Sequence, residues 1–324
     1  MYAYIIRRLL LIIPMMIGIT LISFFIIHLA PGDPTGMMTD LNPNVSPEAI
    51  KKMRAMYNLD EPLHTQYFLW LKKVAVLDLG DSLSMDARPV LDKIMERIPV
   101  TLLINVLSMV IILILSIPIG ILSATKQYSF FDRATTIFVF IGFAMPTFWL
   151  ALLLMIVTGV WNDWFPISGL VSFNHDQLSP WGKFLDYAHH LTMPVLMSGL
   201  TGLAGLSRFT RQSMLEVTRQ DYVTTARSKG LPERTVIYKH SLKNALLPIV
   251  TILGLSIPSL IGGSVIFESI YSIPGMGQLF FQSVMARDYT LVMGVLVIGS
   301  FLTLIAILIS DIAYAMVDPR ISYE

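Results

Sequence analysis

The 324-residue chain has no cysteine, and only 14% of its residues are charged. The first absence excludes a disulfide framework and any thiolate-held metal. The second is well below the roughly one quarter charged that an ordinary soluble domain carries. With 54% hydrophobic residues, intrinsic disorder is excluded too, since it needs low hydrophobicity and high net charge. Lys and Arg number 23 against 22 Asp and Glu, so no basic excess points to nucleic acid. No Gly-x-x-x-x-Gly-Lys-Ser/Thr phosphate loop occurs, and no His-Glu-x-x-His pair.

What the chain does have is long apolar runs. A membrane-spanning helix needs about 20 mostly apolar residues to cross a hydrocarbon layer roughly 30 Å thick. Six stretches lack Asp, Glu, Lys and Arg for at least that length: 9–32, 98–125, 134–162, 187–207, 244–267 and 289–310. A charge at the bilayer centre costs about 2.5–3.5 kcal/mol on the insertion scale, so such runs predict an all-α polytopic membrane protein with six transmembrane helices. The first run is longer than the 7–15 residues of a signal-peptide core and ends in His28-Leu29-Ala30-Pro31, so it reads as a retained anchor.

The basic residues orient these spans. Arg7 and Arg8 precede the first, Lys126 and Arg133 flank the short loop after the second, and the segment 208–243 holds Arg208, Arg211, Arg219, Arg227, Lys229, Arg234, Lys239 and Lys243 against Glu216, Asp221 and Glu233. Placing these inside puts both termini in the cytoplasm. The short outer loops carry one basic residue each, Lys183 and Arg287. The long outer loop is mixed, with eight basic and ten acidic residues, but loops of that length translocate largely regardless of charge.

Two extramembrane regions have organisation of their own. In the outer loop, Ser46-Pro47-Glu48 has the pattern of a helix start, followed by Ile50, Met53, Met56 and Tyr57 at helical spacing. A second stretch predicts an amphipathic face of Leu63, Tyr67, Phe68, Leu71 and Val74, which packs on its neighbours or on the span ends. On the inner side, 219–229 predicts a short helix closed by Gly230, and Pro232 with Glu233 starts a second that runs to Pro248. Two helices hinged at a glycine make a protruding knob suited to a groove on a soluble partner; the bland alternative is a basic loop that sets topology or touches anionic lipid.

Competing chemistry finds little support in the residues. A proton-coupled secondary carrier usually has ionisable groups within its spans, whereas Glu268 and Asp311 fall at the ends of runs and His28 near one. The adjacent His189 and His190 lack the i, i+4 spacing that places two ligands on one helix face, so they read as membrane-boundary polar residues. The 19 methionines read as flexible packing. No catalytic and no metal-ligating residue is assigned, and no cofactor is expected on this chain. Pro14, Pro118, Pro146, Pro194, Pro248 and Pro258 predict kinks, with Gly254, Gly262 and Gly263 allowing close helix approach. Thr251, Ser256, Ser259 and Ser264 are candidates to line a polar path, unless their hydroxyls bond back to their own helix.

The segment Asp221-Tyr222-Val223-Thr224-Thr225-Ala226-Arg227-Ser228-Lys229-Gly230-Leu231, continuing through His240-Ser241-Leu242-Lys243-Asn244-Ala245-Leu246-Leu247-Pro248, resembles the EAA loop of the permease subunits of binding-protein-dependent ABC importers. Its Thr225-Ala226-Arg227 is similar to the start used in the dipeptide, oligopeptide and nickel branch. Leu29-Ala30-Pro31-Gly32-Asp33-Pro34, Leu79-Gly80-Asp81-Ser82-Leu83, Arg88-Pro89-Val90, Pro274-Gly275-Met276-Gly277, Arg287-Asp288-Tyr289 and Asp318-Pro319-Arg320-Ile321 resemble that branch as well, so the likeness covers essentially the whole chain.

The resemblance implies a type I importer permease fold and three regions: 1–32 with the first span, an extracytoplasmic helical subdomain 33–97, and a core 98–324 with a coupling loop 208–245. It implies an importer of di- or oligopeptides, with nickel chelates, glutathione or oligosaccharides as alternatives within the branch and an ATP-independent carrier outside it. Partners would be a second permease, two ATPase subunits that bind ATP and Mg, an external binding protein and the bilayer. By the same analogy Tyr222, Ala226, Arg227, Lys229, Gly230, Leu231 and Pro232 would contact the ATPase.

Overall fold

A computed structural model describes residues 2–29, 48, 51, 54, 55 and 59–317. Most of the helix expected from Ser46 through Tyr57 lies outside them, as do the motif segments 30–34 and 318–321. The described residues are helical, with one isolated bridge, Asp81 to Pro89, and no strand. Helix α1 spans Tyr2–Leu29, α2 Leu63–Ala75, α3 Val90–Thr125, α4 Phe130–Ala144, and α5 Thr147–Trp161 with a π-helical last turn. Then come α6 Pro180–Thr218, α7 Asp221–Ser228, α8 Glu233–Ala245, α9 Leu247–Leu260, α10 Val265–Ile270, α11 Met276–Met285 and α12 Tyr289–Val317.

Three of these, in α1, α3 and α12, are single helices long and apolar enough to cross a membrane; α4 with α5 and α8 with α9 reach that length only as bent pairs. The remaining charge-free run, 187–207, lies in α6, which is 39 residues long. It is less apolar, with His189, His190 and many small or hydroxylated residues; His190, Ser207 and much of the run between them are buried against neighbouring helices, while His189 is exposed.

Only two of the expected proline kinks break a helix. The α4–α5 junction bends by 105° at Met145, which the following Pro146 holds extended at φ −95°, ψ 136°. The α8–α9 junction bends by 44° just before Pro248, and Pro258 sits in a closing 3₁₀ turn. Across Pro14, Pro118 and Pro194 the helices continue.

Small residues set the central packing. A side chain at Gly120 would meet Thr210 Cβ at 2.5 Å, and one at Gly202 would meet Ile112 Cδ1 at 2.6 Å, so α3 and α6 approach as closely as their backbones allow. Ser108 Oγ also donates to Val195 O at 3.0 Å. Residue numbers rise together along this contact, so α3 and α6 run parallel and α4–α5 must return the chain between them. Helix α1 is antiparallel to α12: Arg8 near its start pairs with Asp311 at 3.2 Å, while Phe24 near its end packs with Met293.

Apolar clusters hold the two ends. One end contains Leu79, Val90, Ile94, Met276, Leu279, Leu291 and Val295; the other contains Ile121, Ala124, Met214 and Ala245. On α2, Tyr67, Trp70 and Leu71 pack against Phe24 and Met293, and Val74 reaches the first cluster, as expected for a helix lying on span ends. Leu63 and Phe68 depart from the predicted face: they are 46% and 60% exposed, and Phe68 lies one position and about 100° around the helix from buried Tyr67. Its place on the buried face is taken by Gln66, which bonds Glu61 O and His28.

Candidate coupling site and translocation cavity

The knob formed by α7 and the start of α8 is built as its residues dictate. Helix α7 ends at Ser228, and Gly230 takes φ +75°, a left-handed conformation that side-chain-bearing residues rarely adopt, while its N–H donates to Arg227 O at 2.9 Å. Pro232 precedes α8 in an extended conformation and its carbonyl accepts from Thr235 and Val236. The expected second helix is present and contains a π-helical stretch, Val236–Ser241. Val223, Ala226 and Val236 form a small core between the two helices, with Val217 packed against it. Arg227 bridges them from outside, donating through Nη2 to Glu233 Oε1 at 2.9 Å and through Nε to Oε2 at 3.2 Å.

These facts sort the expected contact row. Tyr222, Arg227, Lys229, Gly230, Leu231 and Pro232 are exposed on the knob, with the Tyr222 hydroxyl accepting from Asn244 Nδ2 at 2.7 Å. Ala226 is the exception. It is 6% exposed and faces the knob's own core, so a methyl group there supports the surface instead of forming it. Beside the knob, Arg211 pairs bidentately with buried Asp132, at 2.7 and 2.9 Å, tying α4 to α6. One of the inner basic residues is therefore neutralised by a structural partner.

A cavity of about 600 Å³ lies between α3, α6 and α9. Ser256, Ser259 and Ser264 line it, with Asn105, Ser198 and Phe267; Thr251 does not. The hydroxyls of Thr251, Ser256 and Ser259 donate to carbonyls of their own segment, at 3.4, 2.8 and 2.6 Å. Ser264 caps α10 by accepting from Phe267 N. The serines thus offer the cavity their remaining lone pairs and a weakly polar wall.

Towards α10, a network of side-chain bonds ties α3 to the segment that follows α9. Asn105 Nδ2 donates to Leu260 O at 2.8 Å and to Gly262 O at 3.1 Å. One turn along α3, Thr101 Oγ1 donates to Glu268 Oε1 at 3.0 Å and accepts from Met276 N at 2.8 Å. Gln278 N donates to the other carboxylate oxygen at 2.9 Å. Glu268 is 4% exposed, so its position just past an apolar run does not mean a surface location. The glycines of Pro274-Gly275-Met276-Gly277 explain themselves here: a Cβ at Gly275 would sit 2.4 Å from Glu268 Oε2, and one at Gly277 2.5 Å from Val265 N. Nearby, Ser82 Oγ donates to buried Asp288 at 2.5 Å, and Lys93 donates to Ser82, Ser84 and Asp86, holding the Asp86 carboxyl down at about 2.

The histidines resolve as structural groups. His190 Nδ1 lies 2.9 Å from Asp186 O, His175 Nδ1 lies 2.6 Å from Asp186 Oδ2, and His189 Nε2 lies 2.7 Å from Trp164 O. Among the described residues no group of three or more His, Cys, Asp or Glu is placed to hold a metal.

Comparison with known proteins matches the sequence over essentially its whole length. Residues 116–323 match the family described as "Binding-protein-dependent transport system inner membrane component", and residues 1–105 match its N-terminal membrane component. The oligopeptide transport system permease protein AppB of Bacillus subtilis is 45% identical over 323 residues, covering all of both chains. The dipeptide transport system permease proteins DppB of Alkalihalophilus pseudofirmus and Escherichia coli K12 are 37% and 36% identical, again over the whole of both chains. The chain belongs to the binding-protein-dependent transport system inner membrane component family.

Proposed function

We propose that this chain is the membrane-spanning half-pathway of an ATP-driven importer of di- or oligopeptides, coupled to its ATPase through the 208–245 knob. The single observation that carries this reading is the knob: two helices locked by a private core and by Arg227–Glu233, turned at a left-handed Gly230, and facing outwards with Tyr222, Lys229, Leu231 and Pro232. Such a body can transmit a displacement without absorbing it. Substrate class is taken from the relatives named for oligopeptide and dipeptide transport.

Six crossings, with both termini in the cytoplasm, fit the parallel α3–α6 pair, the return through α4–α5 and the antiparallel α1–α12 pair. The division into 1–32, 33–97 and 98–324 fits as well, with α2 as an outer cap. A second permease completes the cavity, an external binding protein delivers peptide to it, and two partner subunits bind ATP and Mg and close against the knobs. ATP-driven closure draws the paired knobs together, and the bundle rocks between outward- and inward-open states. The chain itself contributes no nucleotide chemistry, in keeping with the lack of a phosphate loop.

The test is reconstitution of the chain with its partner permease, ATPases and binding protein in vesicles. Uptake of labelled peptide should require both ATP hydrolysis and the binding protein. Uptake that persists without hydrolysis would overturn the coupling, and hydrolysis stimulated by a loaded binding protein carrying some other solute would overturn the peptide assignment.

A further inference from the structure

A second cavity, about 680 Å³, lies between α4 and α6, and the function above leaves it unused. Its lining changes character along α4. At the end near the α3–α4 turn it is formed by Thr135, Arg208 and Arg211, and deeper by Val139, Phe140 and Phe143. Thr135 and Phe143 are eight residues apart, about 12 Å along the helix, so the polar end and the aromatic end are separated by most of a leaflet's depth.

Arg211 is committed to Asp132, and the Thr135 hydroxyl donates to Phe131 O at 2.9 Å. Arg208 is exposed and makes no ion pair or hydrogen bond with the described residues. Phe140 and Phe143, 72% and 54% exposed, leave the deep end uncovered. An occupant must therefore bring one anionic group to the boundary and apolar chains beneath it. The structure assigns this cavity to an anionic phospholipid of the inner leaflet, its phosphate on Arg208 and an acyl chain along Phe140 and Phe143. A helix of a second subunit would cover the phenylalanines equally well, but an anionic lipid also answers the charge of Arg208 at the boundary, which no described residue pairs.

The inner-leaflet placement rests on the cytoplasmic placement of 208–245. Binding is measured without nucleotide or peptide, so a failure of the transport reading leaves the result interpretable. The purified whole transporter in detergent is titrated with phosphatidylglycerol or phosphatidylcholine and followed by native mass spectrometry. The wild type should prefer phosphatidylglycerol, Arg208→Gln should lose about fivefold of that preference, and Arg208→Lys should keep it. A photoreactive benzoyl-phenylalanine at position 140 in intact membranes should give a phospholipid adduct. Equal preference in Arg208→Gln and wild type, or an adduct to the second permease in place of lipid, would overturn the assignment.

Discussion

The two ends of the molecule are held in opposite ways. The inner knob is local: Arg227 and Glu233 are six residues apart, and its core is drawn from 217–236. The opposite end, expected to face outwards, is knit from afar: Thr101 reaches Glu268 and Met276 across 167 and 175 residues, and Ser82 reaches Asp288 across 206. A body closed by local bonds moves as one piece. An end closed by distant ones opens only when whole helices separate. Under the proposed function, the contrast fits a knob that is pushed as a unit and an opposite end that moves only with whole helices.

Breaking the outer end should cost most. Glu268→Ala strands the Gln278 N–H and the Thr101 hydroxyl in a buried site, for about 3 kcal/mol of lost stability. This should appear as a lower unfolding temperature of the purified transporter; an unchanged value would mean the carboxylate carries no structural role. Breaking the knob's turn should cost less stability and more function. Nothing lies within 4 Å of a Cβ built on Gly230, so the penalty of Gly230→Val is backbone strain alone, about 1–3 kcal/mol and confined to the loop. Binding-protein-stimulated ATPase activity should fall strongly while membrane insertion holds and the unfolding temperature falls less than for Glu268→Ala. Gly230→Asn, which tolerates positive φ, should retain much more of the stimulation. The smallest effect belongs to Arg227→Ala. This pair is exposed on both sides, so stability should change by about 0.5 kcal/mol or less, and a large loss would show that the small Val223–Ala226–Val236 core is not what holds the knob.

Much of this contrast was legible in the sequence, and the part that was not has a physical cause. The knob is local, so the short helix read over 219–229, its end at Gly230 and the restart at Pro232 were enough to place it. The outer network is non-local, and no spacing rule relates Thr101 to Glu268. Charge-free runs also hide uncharged polar groups: Asn105 sits inside an apolar run, where an amide is the available clue to a bond across helices. The 134–162 run reads as one span because Pro146 is compatible with either a kink or a continuing helix, and neighbouring packing decides which. Pro14, Pro118 and Pro194 show the other outcome. Ala226 looked like a contact because the motif includes it, yet α7 turns every third or fourth residue inwards and Ala226 shares that face with Val223.

The central claim is that the exposed row of the knob, and not its core or the remaining inner loops, meets the ATPase. The natural absence of cysteine makes this testable by single-cysteine crosslinking within the assembled transporter in native membranes. Tyr222→Cys and Leu231→Cys should be captured by an ATPase subunit bearing a cysteine in its docking groove, whereas Val223→Cys, fully buried, should not. Capture through Val223→Cys with none through Tyr222→Cys or Leu231→Cys would contradict the account.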